Sequence, residues 1–370
     1  MDKNNITVIY GKKPFEMTKK ILGHIEPFSN LNLKKDALIG LKPNLVKASP
    51  SNEGATTSPE IVRGIIEHLQ ERGFFNIIIL ESAWLGDKTT KAFKVCGYED
   101  ISKDYGVPLF DLKADKTEKV RCSAELSMDI CKKALQLDFL INIPVLKAHC
   151  QTKVTCALKN LKGCIPDSEK RRFHNLGLHK PIAYLNKALK THLIIVDGIM
   201  GDLSHEEGGN PVEMGRIIAG CDPVLIDSYA AELLGLHVED IPYITMAEKL
   251  VIGKLFRGKD IDRNRTTVTE LDKDKMPRVT IHAGSLSAKL NNMVDEREAC
   301  SPCYGNLIHA LQRLKESGEI EKIPGKISIG QGFKELGHDG IGVGSCTSGM
   351  ASNLPGCPPE TKEMVEFLKK

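Results

Sequence analysis

Short apolar runs alternate with longer amphipathic stretches along most of the chain, the alternation expected of a parallel sheet wrapped in helices. Residues 6–10 read as a buried strand and 14–25 as a helix with Pro14 in its first turn. A second apolar strand is predicted over 37–41, running into Lys42-Pro43-Asn44 and a polar loop to Thr57. Ser58 is placed to cap a helix with Pro59 at its first position, Ile61, Ile65, Ile66 and Leu69 on one face, and Gly73 at its end. Residues 75–80 follow as a central strand. Strand, helix and strand at this spacing make a βαβ unit, so the sheet is expected to be mostly parallel, with ligands bound beyond the strand C-termini.

Further on, 88–96, 98–103 and 127–135 read as helices, 107–111 as an edge strand, and 139–144 as a strand delivering Lys147 and His149 at its end. Helical spacing over 152–161 puts Val154, Ala157, Leu158 and Leu161 on an apolar side and brings Cys156, Lys159 and Asn160 together. A helix over 178–189 and a short strand over 193–196 lead to Asp197-Gly198. The loop 200–211 carries Asp202, His205, Glu206 and Glu207, and its Gly208-Gly209 pair would let it move as a lid. A strand over 216–219 and helices over 224–234 and 242–250 come next. The charged, weakly patterned stretch 254–277 reads as a boundary, and 279–282 as one more strand. Towards the end come an amphipathic helix (299–315), a short strand (326–329) and a helix (360–370). The expected fold is α/β: a mostly parallel sheet flanked by helices over 1–285, and a small C-terminal α/β region over 290–370.

Composition narrows the function classes. With 41% hydrophobic residues the chain can bury a sizeable core, and a formal charge of +3 spread over interspersed charges carries no nucleic-acid signature. The apolar runs are far shorter than a membrane span, and nothing resembling a signal peptide precedes the first strand, so a cytoplasmic protein with no membrane partner is expected. Eleven cysteines in a reducing compartment point to metal chemistry or to life without much oxygen, as in an anaerobe. Neither Gly-x-Gly-x-x-Gly nor a P-loop occurs.

Four of those cysteines stand in Gly/Pro-rich loops near the C-terminus: Cys300-Ser301-Pro302-Cys303, then Gly344-Ser345-Cys346 and Pro355-Gly356-Cys357-Pro358-Pro359. A two-residue gap lets both sulfurs of the first pair face one metal or two corners of one cluster. Cys303 falls in the first turn of a helix, where the positive dipole end stabilises a thiolate or an anionic cluster. A cubane [4Fe-4S] cluster is the favoured cofactor. Zinc is the rival, although the ten-residue gap between Cys346 and Cys357 is unlike a zinc knuckle, and plain buried thiols are a third reading. The spacings of Cys150, Cys156, Cys164 and Cys221 fit no ligand motif.

This tail, with Lys42-Pro43-Asn44, Thr57-Ser58-Pro59-Glu60, Glu81-Ser82, Leu146-Lys147-Ala148-His149, Leu158-Lys159-Asn160-Leu161-Lys162-Gly163 and Val196-Asp197-Gly198, resembles the iron–sulfur members of the family called domain of unknown function 362. The resemblance covers nearly the whole chain. It implies a cluster-binding tail on an α/β domain and names no reaction. The run 344–359 is also similar to the end of the cluster-binding subunit of nickel-iron hydrogenases and complex I, a local likeness that does not settle function.

The leading expectation is a redox protein that binds a small anionic substrate near the strand ends. Lys42, Asn44, Glu81, Ser82, Lys159 and Asn160 would line the site. His149 would transfer the proton, Lys147 and Lys159 would hold the anion, and Asp197 would orient or neutralise one of the lysines. Each of these side chains has an ordinary alternative as a loop cap or solvated face. Other functions compete: a non-catalytic electron or cluster carrier docking a redox partner protein; cluster-assisted Lewis-acid chemistry such as isomerisation, which needs an iron with an open position; and a structural zinc tail on an isomerase-like enzyme.

Overall fold

The first apolar run becomes strand β1 (Asn5–Tyr10), and the next two become β2 (Ile39–Pro43) and β3 (Ile77–Glu81). The computed structural model describes residues 2–29, 32–204, 206–258, 266–279, 281 and 290–369. Helices Pro14–Ile25 and Pro59–Glu71 begin, as read, at prolines, and Ile61, Ile65, Ile66 and Leu69 are buried on the core face. Each such side chain removed from water contributes about 1.5–3 kcal/mol.

Strand β4 (Leu109–Asp111) follows, then β5 (Thr117–Arg121) pairs antiparallel with β6 (Ser127–Cys131), and β7 (Phe139–Ile143) returns to the main sheet. A second hairpin joins β8 (Lys147–His149) to β9 (Lys153–Thr155), and two long strands, β10 (Leu193–Asp202) and β11 (Pro211–Gly220), precede β12 (Thr267–Leu271). The main sheet has eight strands in the order β12-β1-β11-β10-β7-β2-β3-β4. β11 alone runs against the others. The expected mostly parallel sheet flanked by helices is what the chain forms. The register sets Ile39 beside both Phe139 and Ile77, and Lys42 beside Asn142, so several strand C-termini end at one level.

The chain divides into two compact units. The larger comprises Met1–Ala83, Asp87–Glu169 and His179–Ala283; the smaller comprises Trp84–Gly86, Lys170–Leu178 and Gly284–Lys370. In the smaller, β13 (Val294–Glu296), β14 (Ile327–Ile329), β15 (His338–Val343) and β16 (Met350–Leu354) form a parallel four-stranded sheet. Helix Ser301–Glu316 packs on the C-terminal helix Thr361–Leu368, whose Glu360 and Glu363 make a reciprocal capping box.

Several local expectations are corrected. Residues 127–135 are a strand and one short helical turn, Lys132–Leu135; Met128 and Ile130 alternate inward, a period of two. The single helix expected over 152–161 is broken: Lys153 takes a left-handed φ of 65° and Cys156 is extended, so a β-strand precedes the helical turn Ala157–Asn160. The strand expected to be central, β3, lies one in from the edge strand β4. The weakly patterned 254–277 contributes β12 to the core sheet, and β10 and β11 take the two ends of the expected loop 200–211, β10 running through Asp202 and β11 starting at Pro211. His205 and residues 280 and 282 of the expected strand 279–282 fall outside the described residues.

Candidate functional site

Where β2, β3 and β7 end, polar side chains meet in the interior of the larger unit. The Lys42 ammonium, fully buried, donates to Glu81 Oε2 at 2.8 Å and to the Pro43 carbonyl at 3.0 Å. Glu81 also accepts from the Leu45 and Ser82 backbone N–H groups, at 3.1 and 2.7 Å. Asn160 Nδ2 donates to Asn142 Oδ1 at 2.8 Å and lies 3.3 Å from the Lys42 carbonyl; Asn142 Nδ2 donates to the Ala157 carbonyl. Thr57 Oγ1 accepts from Asn44 N and donates to the Ile143 carbonyl. Gly163 closes over this floor so tightly that a β-carbon there would stand 2.0 Å from Glu81 Oε1 and 2.6 Å from Lys42 Nζ.

A second set gathers on the β8–β9 hairpin. The Lys147 ammonium donates to the Ala55 and Glu206 carbonyls at 2.6 and 2.8 Å. His149 Nδ1 accepts the backbone N–H groups of Gln151 and Thr152, at 3.0 and 3.3 Å, which puts the ring proton on Nε2, 3.3 Å from Glu206 Oε1. Cys150 gives Glu206 its backbone N–H at 3.0 Å and its thiol at 3.0 Å. The ligand atoms of His149, Cys150 and Glu206 lie within 4.8 Å of one another, a spacing that suits a metal ion. The tautomer does not suit one. A neutral imidazole ligating through Nε2 carries its proton on Nδ1, where two N–H groups already point, and metal-bound histidines usually donate from the second nitrogen. In this structure the triad is a hydrogen-bonded network around one carboxylate.

Burial moves the ionisations of this set towards neutrality. Lys147 is pushed down to about 7 by burial and then by Lys159, and burial takes Lys159 down to about 8. Glu207 is raised to about 7 and Glu206 is raised, both chiefly by burial. Burial also raises the Cys150 thiol. Acids and bases of similar strength in one place are suited to exchanging protons near neutral pH.

The predicted residues have distinct fates. Lys42, Asn44, Glu81, Ser82 and Asn160 are buried and form the floor, and Lys147 is buried in the hairpin set. Lys159 is partly buried and its ammonium makes no hydrogen bond among the described residues. Asp197 neither orients nor pairs with a lysine through any hydrogen bond described. It accepts from Ser58 N at 2.7 Å and Ile199 N at 3.0 Å, and burial raises it to about 6. Asn142, Cys150 and Gly163 were not expected in the site. Asn142 and Cys150 lie in or just beyond the predicted strand 139–144, and Gly163 closes the Leu158–Gly163 motif, so position offered a signal that residue type did not.

In the smaller unit, Cys300 stands at the N-cap position of helix Ser301–Glu316 and Cys303 in its first turn. Gly344 N and Ser345 N donate to the Leu354 and Gly356 carbonyls at 2.8 Å, tying the Cys346 loop to the Cys357 loop. Asn306 Nδ2, on the Cys303 helix, donates to the Pro359 carbonyl at 2.8 Å. Burial raises the Cys303 thiol, and the negative charges of Cys300, Cys357 and Cys346 raise it further, with Arg171 opposing. Cys346 is likewise raised by burial, with Lys334 and Arg171 opposing. Among the described residues, no three of these sulfurs lie within 4.8 Å of one another.

Residues 39–232 match the model of a family described as a domain of unknown function (DUF362). A "thylakoid-associated protein" of Synechocystis is 25% identical over 272 residues, covering 69% of this chain and 81% of its own. Among solved structures, the lactate racemase apoprotein of Thermoanaerobacterium thermosaccharolyticum matches with a TM-score of 0.39 at 13% identity, over 64% of this chain and 59% of that one. A Thermotoga maritima protein matches with a TM-score of 0.38 at 16% identity, over 65% and 60%. The chain thus spans about three fifths of each of those two structures.

Proposed function

The chain belongs to the domain of unknown function 362 family, and on that premise we propose that it is an iron–sulfur redox protein with a small-molecule site in its larger unit. Cys300, Cys303, Cys346 and Cys357 would hold a [4Fe-4S] cluster. The observation that carries this reading is Cys303 standing in the field of all three other tail cysteines, with Arg171 and a helix N-terminus opposing that negative charge. Such a cluster, when bound, supplies one-electron transfer.

In the larger unit, Lys159 would meet the small anionic substrate, because its side chain is only partly buried and makes no hydrogen bond among the described residues. Proton exchange would fall to the His149–Glu206 pair: the imidazole donates from Nε2 and the carboxylate accepts. Lys147 would position this pair from behind, through the Glu206 carbonyl, and Asp197 would hold the backbone at Ser58 and Ile199. Lys42, Asn44, Glu81, Ser82 and Asn160 would keep the floor rigid. The cysteine content suits a reducing compartment, for which the cytoplasm is our proposal. No helix among the described residues is long and apolar enough to cross a membrane.

Anaerobic reconstitution tests the reading. About four irons per chain with broad absorbance near ~400 nm, both reduced in each of the four Cys→Ser variants, is the expected result. A colourless protein that takes up one zinc would refute it. In the reconstituted protein, Lys159→Met should weaken binding of a small carboxylate or phosphate and leave that spectrum unchanged. Salt-sensitive binding of an acidic redox partner, with no small-anion binding at all, would favour the carrier role.

A further inference from the structure

At the end of the main sheet opposite the polar floor, where β10 begins and β11 finishes, lies a cleft of about 400 Å³. That volume is in the range of small-molecule sites. One side is basic, with Lys3, Lys187 and Lys190; the other is apolar, with Leu250, Val251 and Ile252. None of the three lysines makes a hydrogen bond or ion pair among the described residues. The lining carboxylate, Asp222, is occupied by the N–H groups of Val224, Leu225 and Lys254 at 2.8, 3.0 and 3.0 Å.

Two residues of the lining each carry a buried polar atom with no partner among the described residues. Asn186 gives both amide protons away, to the Leu158 and Ile182 carbonyls, and its Oδ1 receives nothing; Thr191 Oγ1 is likewise without a partner. The two side chains are 6% and 8% exposed, and each orphaned atom costs about 1–3 kcal/mol. Lysines near the C-terminal end of helix His179–Ala188 complement its dipole, which accounts for part of the charge. That role does not account for an acceptor and a hydroxyl buried without partners beside an apolar wall.

We propose that this cleft is a second binding site, for a phosphorylated small molecule with an apolar portion. The lysines receive the phosphate, Thr191 donates to it, Asn186 Oδ1 accepts a hydroxyl or amino proton, and Leu250 to Ile252 cover the apolar part. The site is independent of the cluster and of the polar floor.

Isothermal titration of the full chain with adenosine monophosphate, glucose 6-phosphate and inorganic pyrophosphate tests it. One-to-one saturable binding of at least one organic phosphate is expected, weaker for pyrophosphate, which has no apolar portion. Lys187→Ala with Lys190→Ala, both exposed positions, should weaken that binding at least about tenfold, equivalent to 1.4 kcal/mol. Thr191→Val should weaken it with no change in the circular dichroism spectrum. Lys159→Met and the four Cys→Ser variants should leave it unchanged. Absence of saturable binding for all three probes, or binding that the lysine pair does not affect, overturns the proposal.

Discussion

Replacing Lys42 with Met separates a structural lysine from a ligand-binding one. Lys42 and Glu81 are 2.8 Å apart with side chains 0% and 3% exposed. At an effective dielectric of about 20 their attraction is about 6 kcal/mol, roughly the scale of the cost of taking two ions out of water. The pair as a whole is therefore close to neutral for stability, and its loss on one side is not. In Lys42→Met the Glu81 carboxylate keeps two backbone donors, Leu45 N and Ser82 N, and loses its counter-ion in a place water does not reach. The expected loss is about 3–5 kcal/mol. Adding Glu81→Gln removes the stranded charge and leaves an oxygen for those donors, so the double variant should regain part of the loss, a coupling of about 1–3 kcal/mol. Urea denaturation followed by far-ultraviolet circular dichroism gives all four corners of the cycle. An unchanged midpoint in Lys42→Met, with weaker anion binding, would refute the reasoning and make Lys42 a substrate residue.

Gly163→Ala should act on the same pair. Its β-carbon would collide with Glu81 Oε1 and Lys42 Nζ, so a loss of about 1–3 kcal/mol is expected; additivity with Lys42→Met in the same denaturation series would contradict this account. His68 supplies a pH dependence. Burial, then the Arg72 charge, lowers it from 6.5 to about 4. Above pH 6.5 the ring is neutral folded and unfolded, and its contribution is fully present. As the pH falls from 6.5 towards 4 the unfolded chain takes up a proton that the folded one resists, which removes about 3 kcal/mol. His68→Leu should flatten the stability profile across that window; a slope as steep as the parent's would place the acid sensitivity elsewhere.

The elements legible in the sequence were those whose period matched their final surroundings. Pro14 and Pro59 marked their helices because proline at a first turn needs no tertiary support. The stretch 152–161 misled because Val154, Ala157, Leu158 and Leu161 keep helical spacing while the backbone turns at Lys153, and no side-chain pattern encodes that turn. Alternation at Met128 and Ile130 was present and went unused. β12 could not be read, since its residues are only partly buried at an edge and show little apolar pattern. In the site, the cations near strand ends were visible and their states were not. Whether a lysine meets a ligand or a carbonyl depends on what packs over it, and that comes from segments such as Ala55 and Gly163, distant in the chain.

The loop bearing Glu206 shows the same dependence. Its Gly208-Gly209 pair reads from sequence as freedom to move. In the fold, a β-carbon on Gly208 would stand 2.4 Å from the Glu53 carbonyl, and Gly209 N donates to that same carbonyl at 3.1 Å. Asn210 N donates to Asp202 Oδ2 at 2.9 Å. Gly208 thus permits close approach. The tight seat holds Glu206 where its carbonyl takes Lys147 and its carboxylate takes His149 and Cys150. Moving the loop would break all of these contacts together and strand a lysine and a carboxylate at once, so the arrangement favours a pre-formed pocket over a swinging lid. The Lys159 side chain, only partly buried and making no hydrogen bond among the described residues, takes no part in these contacts.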